Sequence, residues 1–232
     1  MSLVELADIA AEQWGLITTA QAEAAGSSRK AVGRLARAGV LERLAHGVYR
    51  LAGTPADPRD DLRAAWLALD PARVAGARLR DDPPEVVSHR SAAALYELGD
   101  LDADRHEFIV AGRRQTRRSD IRFHRAALTA ADWGIVDGLP CTTVVRTITD
   151  LAADRTDGGH LAGVVRDALT VRHVDVDGLA RALIPYAARY GAPTADGEAL
   201  LTRFLDEAGV PEATRRTIEL TSGDQRTIEG TA

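Results

Sequence analysis

The chain has one cysteine, one methionine and a single lysine, and its aromatic residues amount to 4% of 232 positions. With Cys141 alone, an internal disulfide and a thiolate zinc site are both excluded, and the residue reads as a small buried hydrophobe. Lys30 as the only lysine argues against restriction-type nuclease chemistry. That chemistry needs clustered carboxylates for Mg²⁺ and usually a lysine near the phosphate, and Lys30 lies far along the chain from the C-terminal carboxylates. No apolar run reaches the length of about 18 residues that spans a bilayer, and no charged-then-apolar leader opens the chain. The expectation is a cytoplasmic protein without a membrane partner. Phosphate-binding P-loops, G-x-S-x-G elbows, H-E-x-x-H and dinucleotide G-x-G-x-x-G patterns are missing as well. The histidines at 46, 89, 106, 124, 160 and 173 show no ligand spacing. No enzyme, cofactor or metal is expected. His89 and Ser91 are read as capping the helix they precede rather than as nucleophile chemistry.

What is present is charge of both signs, unevenly placed. The formal net charge is −5, yet residues 27–53 carry six basic side chains against Glu42 alone, and residues 113–125 carry six arginines against Asp120 alone. Two basic islands sit on an acidic body, which would hold a polyanion in a restricted orientation. In the first island, Arg29, Lys30, Gly33, Arg34 and Arg37 share one face of a helix from Ser28 to Ala38, and Ala31, Val32, Leu35 and Ala38 share the other. Gly33 costs that helix about 1 kcal/mol relative to alanine. A close approach of backbone to phosphate and a neutral accident explain it equally well.

The pattern around this helix predicts a winged helix. A first helix runs from Leu3 to Trp14, with an acidic outer face, and Gly15 ends it. Thr18 and Gln21 form a capping box that opens a short second helix, closed by Gly26, and Ser27 or Ser28 caps the third. Leu41 to Leu44 and Val48 to Leu51 flank Ala45-His46-Gly47 as a hairpin. The alternative, three packed helices with merely solvated arginines, lacks a reason for this hairpin and its own Arg43, His46 and Arg50.

Beyond Gly53, residues 54–57 read as a Pro-rich linker. Residues 58–157 predict a mixed α+β domain: a helix from Arg59 to Leu69, a charged loop from Arg78 to Pro84, a strand from Glu85 to His89 and a helix from Ser91 to Leu98. Two strands come next, Glu107 to Val110 and Ile121 to His124, and then a hairpin turning at Asp137-Gly138 and a helix from Thr143 to Leu151. Residues 158–218 read as a helical extension with helices near 160–171, 177–190 and 196–208, and residues 219–232 as a flexible tail. The fold class is therefore α+β and α-rich: a winged helix-turn-helix at 1–53, then a mixed α+β domain with a helical C-terminal extension. The loop carrying Arg113, Arg114, Arg117 and Arg118 is a solvated hairpin, a second nucleic-acid contact or a dock for an acidic partner.

Three stretches carry a family resemblance: GLITTAQAEAAGSSRKAVGRLARAGVLERLAHGVYRLAG at Gly15 to Gly53, SHRSAAALY at Ser88 to Tyr96, and FHRAALTAADWGIVDGLPCTTVVRTITDLA at Phe123 to Ala152. Together they resemble the AbiEi family of antitoxins over roughly residues 1–155. The G-L-P-x-T-T-x-x-R-T-x-x-D-L-A stretch at Gly138 to Ala152 is the more distinctive part. The resemblance implies an antitoxin of a type IV, AbiE-like pair. Its partners would be a nucleotidyltransferase-like toxin and double-stranded DNA, the inverted repeats of an operator through which it represses its own operon. Carried over by position, the DNA contacts would be Ser28, Arg29, Lys30, Arg34 and Arg37 on the helix and Arg43, His46 and Arg50 on the wing. Competing readings remain a free-standing winged-helix regulator with a ligand-sensing second domain, and a protein-interaction module with a vestigial winged helix.

Overall fold

The computed structural model describes residues 3–218 and Leu220, so the tail expected at 219–232 lies almost wholly outside the described residues. The chain divides into two compact units, residues 1–85 and 86–232.

The first unit opens with α1 (Leu3–Ala11), β1 (Leu16–Thr18), α2 (Thr19–Ala24), α3 (Arg29–Arg37), β2 (Leu41–Ala45) and β3 (Val48–Leu51). The expected caps form: Thr18 Oγ1 accepts from the Gln21 backbone N–H at 3.0 Å while the Thr18 N–H donates to Gln21 Oε1 at 3.0 Å, and Ser28 Oγ accepts from the Ala31 N–H at 3.1 Å. Each satisfies donors that a helix start otherwise leaves unpaired. The wing contains one strand more than the pattern indicated, because β1 pairs antiparallel with β3, giving the order β1-β3-β2. Leu16, Ile17 and Thr18 are all buried, and three residues are too few to display an alternation. Gly47, with φ +75°, closes the hairpin turn. Leu6, Ala10, Ile17, Ala22, Val32 and Leu41 form the core of this part.

Residues 54–57 do not separate two bodies. α4 (Asp60–Leu69) packs on β2 and β3, and α5 (Ala75–Arg78) comes after it within the same unit. Thr18 Oγ1 donates to the Pro71 carbonyl, Gln21 Nε2 donates to the Arg73 carbonyl at 2.8 Å, and Gln13 Oε1 accepts from the Ala75 N–H at 3.1 Å. Trp66 is fully buried and meets Trp14 edge-on at 6.2 Å. The charged loop expected from Arg78 begins instead with a fully buried side chain. Arg78 stacks on Trp66 at 3.6 Å, donates to the Trp66 carbonyl and pairs with Glu85 Oε2, each at 2.7 Å. A buried guanidinium is tolerable only when paired and hydrogen-bonded in this way.

The second unit contains β4 (Val86–Val87), α6 (His89–Leu95), β5 (His106–Val110), β6 (Ile121–Arg125), β7 (Trp133–Val136), β8 (Leu139–Thr142), α7 (Val144–Ala153), α8 (Gly158–Thr170), α9 (Val176–Leu183) and α10 (Gly197–Glu207). Its sheet has the order β6-β5-β4-β8-β7. β7 and β8 form the expected hairpin, with Asp137 at φ +49° and Gly138 at φ +81° as a type I′ turn requires. β5 and β6 run parallel, from His106 opposite Ile121 to Val110 opposite Arg125. The arginine loop between them is therefore a crossover and not a hairpin, which removes the first of its three readings as worded. α8 to α10 do not form an appendage. Leu161, Leu179, Leu183, Leu200 and Phe204 share one apolar cluster with Ala93 and Leu98 of the α6 region and with Ile148 and Leu151 of α7.

Candidate nucleic-acid interface

α3 lies on its unit by Val32, the one residue of the helix that is buried, so Arg29, Lys30, Arg34 and Arg37 all stand on the exposed side, and Ser28 is exposed at the cap. Arg29 is 80% exposed and only loosely held by Glu23 at 3.4 Å; Arg37 Nε donates to the Gly33 carbonyl at 3.1 Å. Among the described residues Lys30 and Arg34 form no ion pair. Exposed charges of this kind cost little to recruit, because a surface pair contributes at most about 1 kcal/mol. No atom lies within 4 Å of where a Gly33 Cβ would stand, so nothing in this unit requires glycine there.

On the wing, Arg43 and His46 are exposed and adjacent, with Arg43 Nη2 at 3.2 Å from His46 Nδ1 and Arg43 Nε donating to the Ala45 carbonyl at 3.3 Å. Arg50 stands apart from these two. Its side chain is 11% exposed, bonded to Glu42 Oε2 at 2.5 Å and to Asp60 Oδ2 at 2.7 Å, and Asp60 in turn lies 3.6 Å from Arg63. Residue type and alternation placed Arg50 with the basic wing, but its outward side faces α4, which no local pattern reveals. In the second island Arg113, Arg114 and Arg117 are exposed, with Arg114 at 5.4 Å from the Phe123 ring, while Arg118 is bound to Asp120.

Residues 4–52 match a family described as "Transcriptional regulator, AbiEi antitoxin". The match covers 49 of the 232 residues, all of them in the first unit. The matched segment runs from α1 to β3 and includes Arg29, Lys30, Arg34, Arg37, Arg43 and His46. No curated protein matches the sequence. The crystal structure of the RV2827C protein from Mycobacterium tuberculosis is similar in fold, with a TM-score of 0.51 at 19% identity over 94% of this chain and 80% of that one. Among the described residues no helix is long and apolar enough to cross a membrane.

The second unit contains a polar cluster that histidine spacing did not disclose. His89 at the start of α6, Glu107 on β5 and His124 on β6 converge, with His124 Nε2 at 2.5 Å from Glu107 Oε2 and the two imidazoles stacked at 3.5 Å. Parallel pairing of β5 with β6 sets Ile109 opposite His124, which brings Glu107 and His124, seventeen positions apart, to one face. His89 takes φ +52°, a conformation few non-glycine residues adopt, and its Nδ1 lies 3.0 Å from Ser88 Oγ. Burial, with His124, Arg122 and Arg146 nearby, pushes the His89 imidazole down to about 3. Arg122 reaches Glu107 at 3.8 Å and Asp154 at 3.0 Å; Arg146 holds Asp150 at 2.8 Å and Asp132 at 3.2 Å. Burial raises the Asp150 carboxyl above its ordinary range despite Arg146. Of these residues His89, His124, Asp132, Arg146 and Asp150 fall within the stretches that carry the family resemblance, whereas Glu107, Arg122 and Asp154 lie outside them.

Proposed function

We propose that this protein is an antitoxin that neutralises a nucleotidyltransferase-like toxin and represses its own operon by binding inverted repeats, without being an enzyme. The observation that carries the DNA half is the α3 face. Four cationic side chains project from a capped helix that packs on its unit through Val32, beside a wing that adds Arg43 and His46. Recognition helices of this arrangement enter the major groove by their N-terminal residues, which places Arg29 and Lys30 nearest base edges and Arg34 and Arg37 nearest phosphates. The toxin half is supported by the size and charge of the second unit. That unit carries a core of its own, and residues 126–232 hold 16 acidic against 10 basic side chains, a balance suited to a partner that handles nucleic acid and presents basic surface.

The test is twofold. A duplex carrying the inverted repeats upstream of the chain's own gene should bind with an affinity that falls steeply between 50 and 200 mM salt, and salt-independent binding sinks the DNA half. Co-expression with the product of the neighbouring gene should rescue growth and co-purify it. Operator binding with neither rescue nor co-purification leaves a free-standing regulator.

A further inference from the structure

We infer that His89, Glu107 and His124 form a binding site for a divalent transition-metal ion of the zinc type, one that ties α6 to the β5–β6 edge of the sheet. The ligand atoms of these three residues all lie within 4.8 Å of one another, inside a layer where Glu107 is 3% and His89 7% exposed. Two imidazole nitrogens and a carboxylate oxygen suit zinc and its neighbours over Mg²⁺ and Ca²⁺, which prefer all-oxygen shells. A second observation comes from the same unit: Asp150 Oδ2 is buried and has no hydrogen-bond partner. A buried carboxylate oxygen without a partner is costly, and added positive charge in this unit offsets that cost. Charge balance agrees, because Arg122 and Arg146 face Glu107, Asp132, Asp150 and Asp154, two negative charges in excess.

Three protein donors match the number that holds zinc with a further position left for water or another ligand. The imidazole planes are now 12° apart, and an ion lies near the plane of each ring it binds. Loading therefore turns one imidazole out of the stack, and both rings register the ion.

The inference does not rest on the DNA or toxin reading and is tested apart from them. The full-length chain, stripped with chelator and dialysed into metal-free buffer, is titrated with ZnCl₂ and then with MgCl₂. We expect one saturable Zn²⁺ per chain that Mg²⁺ does not displace. Glu107→Gln and His124→Ala should each weaken binding by roughly tenfold or more, while His160→Ala, an exposed histidine in α8, should leave it unchanged. No saturable binding, or binding in the two cluster variants equal to that of the unaltered chain, overturns the proposal. Should those variants fail to fold, imidazole proton resonances of the unaltered chain decide. Zn²⁺ must move those of His89 and His124, and movement confined to His46, His106, His160 or His173 refutes the site.

Discussion

Arg34, Arg37 and Arg50 are the same residue type on the same stretch, and the structure divides them by what surrounds them. Arg34 and Arg37 are exposed, so Arg34→Ala or Arg37→Ala should leave stability nearly unchanged and flatten the slope of log K against log salt by about 0.9, measured by duplex titration. Arg50 is locked between Glu42 and Asp60. Asp60→Asn should destabilise the first unit by about 1–3 kcal/mol, because Arg50 keeps Glu42 but loses its less exposed carboxylate partner, without changing the salt slope of the protein that remains folded. Denaturant titration beside duplex titration separates the two classes. Gly33→Ala fills open space on the helix and should stabilise by up to about 1 kcal/mol; a lower melting temperature contradicts this. His160 offers a pH-dependent case. Its hydrogen bond and charge pairing with Asp100 raise the imidazole above its ordinary value. The pair therefore contributes fully below the unfolded-state value and is lost as pH rises through the folded one. An NMR titration should show the raised midpoint in the natural chain and its return to the ordinary value in Asp100→Asn.

The elements were legible to different depths. α2 and α3 were plain because caps are local: Thr18 with Gln21 and Ser28 with Ala31 are bonds across three residues. The β7–β8 turn was plain because Asp137-Gly138 suits positive φ. β1 is not legible because its three residues are all buried, and the parallel pairing of β5 with β6 is not legible because strand direction leaves no mark on a five-residue segment. α4 was foreseen as a helix but assigned to the wrong body. Seven of its ten residues are buried, and part of what buries them is the β2–β3 wing. A fragment of residues 1–53 should therefore not fold stably, since it would expose the wing face that α4 covers. A fragment of residues 1–85 should fold cooperatively and bind duplex. Circular dichroism melts of the two fragments check this, and a stable, cooperative 1–53 would refute the packing argument.

For the whole molecule, the division at Glu85 and Val86 is where function should separate. Residues 86–232 alone should bind no operator yet retain toxin rescue, and residues 1–85 should do the reverse, scored by growth of cells expressing the toxin and by duplex titration. Rescue by 1–85 alone would reverse that assignment. The sequence by itself determined the winged-helix order, the basic face of α3 and the caps that start its helices, because each depends on residues a few positions apart. Only the tertiary structure decided that Arg50 belongs to the interior, that the Pro-rich stretch at 54–57 joins rather than separates, and that His89, Glu107 and His124 meet. Those outcomes depend on which face a strand presents and what packs against it, and contacts between residues ten to sixty-two positions apart have no periodicity to betray them.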